Sequence, residues 1–483
     1  MRGRHAHHPT AAGRRPIELS LTAFFKPASV AVIGASREPR KFGHVIFKNF
    51  VESDFKGEAY PINPQAERIL GFKTYPRIQE VPGQVDLAVI AVPAPIVPSI
   101  VDECLSKKVK AAVIISGGFR EVGREGEQLE LKIKQKIEGS SLRIVGPNCI
   151  GIYDPVNHVD TLFLPRYRLR RPKQGPISFI SQSGAFGSAV LDWAASQDIG
   201  ISKFISIGNK VDVDEVDLLN YLADDLLTRC IVVYVESIKR GREFLAASSQ
   251  AVKKKPLVVL KGGITAEGAR AALSHTGSLA GSAKVYEGAF RQAGIVHAET
   301  VDELFDYART LAYQPVPKER KNVAIVTNGG GFGVISADEV SKLGLTLAEF
   351  TPETTEKLKE KLPTYAIPHN PLDLVGDADV ERYRSALNTV CSDPTVGVVL
   401  VIVLLQTSFI ESDVVDAITE AHVTYGKPLI VCTVGGDFTQ ILVKMLEENH
   451  IPSYPTPERA VNAINALIQY GNILKEKAEM GEV

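Results

Sequence analysis

The chain has 483 residues, which favours about three domains, and its 55 Lys and Arg against 56 Asp and Glu leave a formal net charge of −1. This balance gives no sign of a nucleic-acid partner, and no apolar run reaches the ~18 residues that span a bilayer. The 5 cysteines form no CxxC pair, which is typical of a reducing compartment and disfavours a disulfide framework or zinc site. We expect a cytoplasmic protein without membrane or nucleic-acid contacts. Residues 1–19 are basic, lack an apolar signal core and are expected to be a disordered lead.

Short apolar runs rich in Val and Ile alternate with stretches of helical periodicity along most of the chain. Runs that are continuously apolar predict strands of parallel sheets covered by helices on both faces. The sequence therefore predicts an α/β fold of doubly wound parallel sheets. The predicted strands lie, in order, at 28–34, 86–93, 111–118, 142–148, 176–181, 230–236, 256–263, 322–330, 396–405 and 428–436.

Two polar, proline-bearing stretches, 164–176 and 313–322, are predicted to be linkers. The second and third segments that they separate look like duplicates, since FISQSGAFG parallels IVTNGGGFG and KKPLVVLKGG parallels GKPLIVCTVGG. The alternative is that doubly wound domains converge on similar patterns. Only the second segment continues past its last strand into SHTGSLAG, at 274–281. The predicted domains are 20–165, 170–312 and 323–475.

The first predicted strand ends in Gly34-Ala35-Ser36 ahead of a helix, which gathers backbone N–H groups and a positive helix end at one anion site. The second strand ends in Asn63-Pro64, without the acid that binds a ribose hydroxyl, so NAD is disfavoured. Three cations beside the loop suit a polyphosphate, while a tight turn with surface charges is the alternative. These cations are Arg37, Arg40 and Lys41.

Later strand ends of the first domain, at 91–95, 116–119 and 146–152, are expected to line the same pocket because ligands lie beyond the carboxyl ends of parallel strands. Cys149 falls there without an evident His partner. We interpret it as a packing residue rather than a nucleophile.

Two glycine-rich helix starts, SQSG and NGGG, lack the lysine of a P-loop. A hydroxyl or amide followed by glycines lets an anion approach backbone N–H groups, although a helix cap with close packing is the alternative. Together they predict one phosphate site to which two helices point. Its residues would be Ser181, Gln182, Ser183, Gly184, Asn328, Gly329, Gly330 and Gly331.

SHTGSLAG surrounds His275 with small residues that leave the imidazole approachable. Imidazole is a good nucleophile near neutral pH, so His275 is a candidate phosphoryl carrier. Glu236 ends an apolar strand and is a candidate acceptor for one ring nitrogen, with a helix cap as the alternative role.

These motifs resemble the α subunits of ADP-forming acetyl-CoA synthetase (acetate–CoA ligase), in the superfamily that includes succinyl-CoA synthetase. SHTGSLAG, SQSGAFG, GPNCIGI and GNKVDVDEVD carry the resemblance, which runs from about Leu21 to the C-terminal helix. It implies a Rossmann-like CoA-binding domain and two flavodoxin-like ligase domains. It also implies that His275 is phosphorylated, that Glu236 supports it and that Asn148 lies near the thioester. The implied CoA contacts are Gly34, Ala35, Ser36, Arg37, Lys41, Asn63, Val92, Pro93, Ser116 and Gly117.

The resemblance further implies that acyl-CoA and phosphate give acyl phosphate and CoA, after which His275 takes the phosphoryl group and passes it to ADP. No segment of this chain matches an ATP-grasp domain, so ADP, ATP and Mg²⁺ would bind a separate β subunit in an α2β2 assembly. The alternatives are a platform module of a protein acyltransferase and a CoA-binding sensor without turnover. The intact SHTGSLAG disfavours both.

Overall fold

The computed structural model of the chain describes residues 17–265, 267, 268, 270, 283–317 and 321–481. All ten predicted apolar runs contain a strand, and the α/β class with parallel sheets is confirmed. The helix Ile17–Phe25 begins inside the segment expected to be a disordered lead. None of the helices in the described ranges is long and apolar enough to cross a membrane.

The first sheet is parallel throughout, and helices follow its strands. Its strands are β1 (Ser29–Ile33), β2 (Glu58–Ile62), β5 (Leu87–Ile90), β6 (Ala111–Ile114) and β7 (Arg143–Val145), with a separate hairpin of β3 (Arg68–Ile69) and β4 (Phe72–Lys73). The sheet order is β2-β1-β5-β6-β7. The helices are α1 (Ile17–Phe25), α2 (Phe42–Glu52), α3 (Val97–Ser106) and α4 (Arg124–Ile137).

The second sheet has 7 strands, of which two come from the end of the predicted first domain. The strands are β8 (Ile152–Asp154), β9 (Val159–Asp160), β10 (Gln174–Ser181), β11 (Ile201–Ser206), β12 (Cys230–Val235), β13 (Leu257–Lys261) and β14 (Val296–Ala298). Their order is β14-β13-β12-β10-β11-β8-β9, with β8 antiparallel to both of its neighbours. The helices are α5 (Gly184–Ser196), α6 (Glu215–Asp224), α7 (Gly241–Lys254), α8 (Ala283–Ala293) and α9 (Val301–Tyr313).

The third sheet is parallel and repeats the topology of the second. Its strands are β15 (Val323–Thr327), β16 (Leu372–Asp373), β17 (Val398–Val403), β18 (Leu429–Thr433) and β19 (Ser453–Tyr454), in the order β16-β15-β17-β18-β19. Strands β10 to β14 have the same order, which is the flavodoxin-like 2-1-3-4-5 arrangement. The helices are α10 (Gly330–Lys342), α11 (Pro352–Lys361), α12 (Val380–Ser392), α13 (Val414–Tyr425), α14 (Asp437–Glu448) and α15 (Pro457–Glu479).

A short backbone ladder fixes the first sheet against the second domain. Asn209 N–H donates to Pro147 O at 2.9 Å, Val211 N–H to Gly146 O at 3.0 Å and Val213 N–H to Ile144 O at 3.0 Å. Because these bonds join β7 and the loop after it to residues 209–213, they hold the carboxyl end of the first sheet next to the second domain.

Candidate active site

A cavity of about 600 Å³ lies between the first two domains. Both sheets contribute the loops that follow their strands, as expected for a ligand site in an open α/β sheet. From the first domain the lining includes Phe42, Ile115, Gly117, Arg120, Glu121, Asn148, Cys149, Ile150 and Phe163. From the second it includes Gln182, Ser183, Gly184, Ala185, Gly208, Asn209 and Glu236.

The Gln182 side chain connects the end of β10 to the end of the neighbouring strand β12. The strand order of the sheet reverses between these two strands. Its Oε1 accepts the backbone N–H groups of Glu236 at 2.8 Å and Ser237 at 3.0 Å, and its Nε2 donates to Ser237 Oγ at 3.1 Å. The sequence predicts a phosphate contact for Gln182. In the structure both ends of its amide bind within the protein, so its side chain positions Glu236.

Glu236 is buried, with 9 % of its surface exposed, and borders the cavity. The Tyr234 hydroxyl donates to its Oε1 at 3.3 Å, and the Tyr234 ring stacks on Phe186 with centroids 4.0 Å apart. Burial, together with the charge of Glu236, raises the pKa of Tyr234 to about 12. The phenol therefore stays protonated and orients the carboxylate.

The helix start at Ser181–Gly184 borders the cavity through Gln182, Ser183 and Gly184. Ser181 is buried and donates to Ser183 O at 2.7 Å, while Ser183 Oγ caps α5 by accepting Phe186 N–H at 3.3 Å. The first N–H groups of a helix have no carbonyl partner within it, so those of Gly184 and Ala185 form an electropositive end at the cavity wall. This geometry suits an anion.

Asn148 enters the cavity from a loop in the left-handed conformation, with φ of 58°. Its Nδ2 donates to Asn209 Oδ1 at 3.4 Å, and Asn209 Nδ2 donates to Glu121 Oε2 at 2.7 Å and Glu130 Oε2 at 3.0 Å. Sequence reasoning missed Asn209, Glu121 and Glu130 as parts of the site. Asn209 does lie in the GNKVDVDEVD motif that carried the resemblance.

Glu121 stays ionised beneath this network. Burial alone would raise its pKa, but hydrogen bonds from Asn209 and from the N–H groups of Phe119 and Gly118 outweigh burial, and the pKa of Glu121 is lowered. Cys149 differs: burial raises the pKa of its thiol to about 12. A neutral thiol in this position agrees with a packing role.

The predicted CoA residues of the first domain lie at the carboxyl edge of one sheet. Gly34 has a φ of 90°, and a Cβ there would lie 2.4 Å from Ala91 O, so the turn requires glycine. Asn63 Nδ2 donates to Ala35 O at 2.7 Å, and Ser116 Oγ donates to Val92 O at 2.5 Å.

Arg37 and Lys41 are exposed beside this edge, and α2 begins only at Phe42, after a loop that follows Ser36. Pro93 opens a short 3₁₀ turn at 94–96. Gly117 reaches the inter-domain cavity, so the edge and the cavity are continuous.

The helix start in the third domain lines a different cavity. Asn328 repeats the geometry of Gln182, since its Oδ1 accepts Leu404 N–H at 2.9 Å and its Nδ2 donates to Leu404 O at 3.0 Å. Gly329 caps α10, and Gly330 lines a cavity of about 320 Å³ together with Asp373. Gly331 is the second residue of α10. The sequence predicts one site for both helix starts, whereas here each borders its own cavity.

His275 and its SHTGSLAG motif lie outside the described residues. Gly262, which precedes this motif in the chain, lies next to the strand end that carries Glu236, since its N–H donates to Val235 O at 2.9 Å. Within the described residues, no group of three or more His, Cys, Asp or Glu side chains is arranged to hold a metal ion.

Comparison with known proteins assigns the chain to a family. It matches a CoA binding domain at 28–155, a succinyl-CoA ligase like flavodoxin domain at 174–311 and a ligase-CoA domain at 323–473. It is 41% identical to acetate–CoA ligase [ADP-forming] I subunit alpha of Pyrococcus furiosus, over 94% of this chain and 98% of that one. The chain belongs to the ADP-forming acetate–CoA ligase family. The family predicted from the motifs is thus confirmed.

Other members of this ligase family differ in named substrate and in length. The chain is 36% identical to 4-hydroxybutyrate–CoA ligase [ADP-forming] of Nitrosopumilus maritimus, over 93% of this chain and 64% of that protein. A solved structure of dinucleotide forming acetyl-coenzyme A synthetase 1 from Ca. Korarchaeum cryptofilum, in complex with phosphate and ADP, superposes with a TM-score of 0.90. It is 38% identical and covers 96% of this chain and 99% of its own.

Proposed function

We propose that this chain is the α subunit of an ADP-forming acyl-CoA ligase and that acyl-CoA and phosphate react in the cavity between its first two domains. The observation that carries the proposal is the cavity itself. It gathers Asn148 from the CoA-binding domain, the positive start of α5 at Gly184 and the carboxylate of Glu236. These groups suit a thioester beside Asn148, a phosphate at the start of α5 and an imidazole oriented by Glu236.

In the first step a phosphate oxygen attacks the thioester carbonyl, the C–S bond breaks and CoA leaves as a thiolate that takes up a proton. The product is an acyl phosphate. The N–H groups that open α5 stabilise its charge by about 1 to 2 kcal/mol in a partly buried site. CoA itself lies along the edge from Gly34 to Gly117.

In the second step a ring nitrogen of His275 attacks phosphorus, the bond between phosphorus and the acyl oxygen breaks, and the carboxylate leaves. Glu236 accepts a hydrogen bond from the ring nitrogen that carries the proton, and this bond orients the attacking nitrogen.

In the third step phosphohistidine passes its phosphoryl group to ADP, with Mg²⁺, on a β subunit of the ATP-grasp type. The relative named as a subunit alpha supports a partner chain, and we propose an α2β2 assembly. The three predicted domains, 20–165, 170–312 and 323–475, would then be the CoA, phosphohistidine and second ligase domains. Asn328–Gly331 would supply the second anion-binding helix once the assembly forms.

The test combines the chain with its β subunit, acetyl-CoA and radioactive phosphate, and 4-hydroxybutyryl-CoA serves as a second substrate. We expect an acid-labile, alkali-stable label on the α chain and ATP formation from ADP. His275→Ala should abolish both but still form acyl phosphate, because that step comes earlier. His422→Ala, on the remote helix α13, is the control and should behave as wild type. Labelling of His275→Ala at the normal rate would falsify the mechanism.

Calorimetry on the whole chain tests the CoA site separately. We expect CoA to bind and NAD to give no heat, because Asn63 stands where a dinucleotide site needs an acid. Binding of CoA without any turnover in the assembled complex would instead favour a sensor.

A further inference from the structure

Lys261 is a buried cation at the end of β13, ahead of the segment that carries His275. It ends β13 opposite Val235 of β12, and 3 % of its surface is exposed. Its Nζ donates to Gly262 O and lies 4.7 Å from the centroid of the Tyr286 ring. Tyr286 belongs to α8, which follows the segment that carries His275. Lys261 therefore joins the two ends of that segment.

Glu236 directly follows Val235, the residue of β12 that pairs with Lys261 of β13. Burial lowers the pKa of Lys261, and the negative charge of Glu236 partly offsets that effect. Burying a lysine is costly unless its charge is compensated, so an apolar residue would suit the end of this strand better if packing were its only role.

The duplicated domain gives an internal comparison. By strand register Thr433 corresponds to Lys261, since it pairs with Val403 as Lys261 pairs with Val235. Thr433 only bonds Ser453 Oγ across the sheet, at 2.9 Å. Leu404 takes the position of Glu236 after the same strand. Of the two copies, only the second domain therefore has Lys and Glu at these two strand ends, and its sequence contains SHTGSLAG.

We propose that Lys261 is a positioning residue for the phosphohistidine step, holding both ends of the His275 segment beside Glu236. The proposal rests on the proposed function. Lys261 forms no covalent bond in it: the phosphoryl group moves from acyl phosphate to the imidazole, and Lys261 supplies a fixed positive charge at the strand end beside Val235 and Glu236. Its contact with the Tyr286 ring fixes the position of α8 relative to the end of β13.

The test uses the assembled enzyme and measures two rates, acyl phosphate formation and phosphohistidine labelling. Lys261→Met keeps the apolar stem and removes the charge, while Lys261→Arg keeps the charge. We expect Lys261→Met to slow labelling by about 10- to 100-fold and to leave acyl phosphate formation within about twofold. Lys261→Arg should recover most of the rate.

Two further variants keep the test decisive if Lys261→Met folds poorly. Tyr286→Leu removes the ring contact and should slow labelling, whereas Tyr286→Phe should not. Lys255→Met is the matched control, because Lys255 is a partly buried lysine just before the same strand whose Nζ donates to Leu222 O at 2.9 Å.

Unchanged labelling in Lys261→Met, or equal slowing of both rates, would overturn the positioning role. Failure of the proposed function looks different. In that case wild type itself acquires no acid-labile label, or His275→Ala acquires it, whatever residue occupies position 261.

Discussion

Replacing Gln182 with Met should loosen the strand end that holds Glu236. The side chain is buried, with 6 % exposed, and Met has a similar length without hydrogen-bonding groups. The change removes the acceptor of two backbone N–H groups, those of Glu236 and Ser237, and the donor to Ser237 Oγ. The substitution thus leaves two buried donors unpaired.

An unpaired buried N–H costs about 1 to 3 kcal/mol, so local opening at each of these two amides should become roughly 5- to 150-fold more frequent. Hydrogen exchange of peptides covering 234–240 measures that change directly. Phosphohistidine labelling should slow as well, because the carboxylate of Glu236 loses its fixed position.

Asn328→Leu is the matched control, since Asn328 makes the same type of contact to Leu404. It should expose the amide of Leu404 and leave those of Glu236 and Ser237 protected. If Gln182→Met exchanged at the wild-type rate at 236 and 237 while phosphate affinity fell, Gln182 would be a phosphate ligand and the positioning argument would be wrong.

Two further predictions concern buried charge and a buried thiol. Arg309 lies 2.8 Å from Glu447 and 3.2 Å from Asp306, with 8 % of its side chain exposed. Arg309→Met should therefore destabilise the junction of the second and third domains by about 3 to 5 kcal/mol, and adding Glu447→Gln should restore part of the melting temperature. Equal melting temperatures of Arg309→Met and wild type would contradict this. Burial raises the pKa of the Cys149 thiol, so it should resist alkylation at pH 8 in the native chain and react after unfolding. Rapid alkylation of Cys149 in the native chain would contradict the packing role.

The sequence predicts the strands well because each is a continuous apolar run that must be buried on both faces. The run at 396–405 contains β17, all six residues of which are buried. The position of Glu236 at the cavity was predictable for the same reason, since a charged residue directly after such a run lies at the carboxyl edge of the sheet, where ligands bind.

Contacts between distant segments were not predictable in this way. Asn209 is an ordinary polar residue in the sequence, and its role depends on Glu121 and Glu130, which are far away in the chain and belong to helical segments of the first domain. The short strands β8 and β9 carry little apolar signal. They join the second sheet because β11 offers a free edge there, which no local pattern reveals.

Comparison of the two duplicated domains shows which contacts belong to the shared fold and which residues are specific to the second domain. An amide that ties the first strand to the loop after the third is present in both copies, as Gln182 and as Asn328, so this contact belongs to the fold. The ends of the third and fourth strands differ between the copies: Glu236 stands against Leu404, and Lys261 against Thr433. At these two positions the second domain buries charged groups at a cost in stability, and the third domain does not. That asymmetry is the physical reason to assign the phosphohistidine step to the second domain and a supporting role to the third.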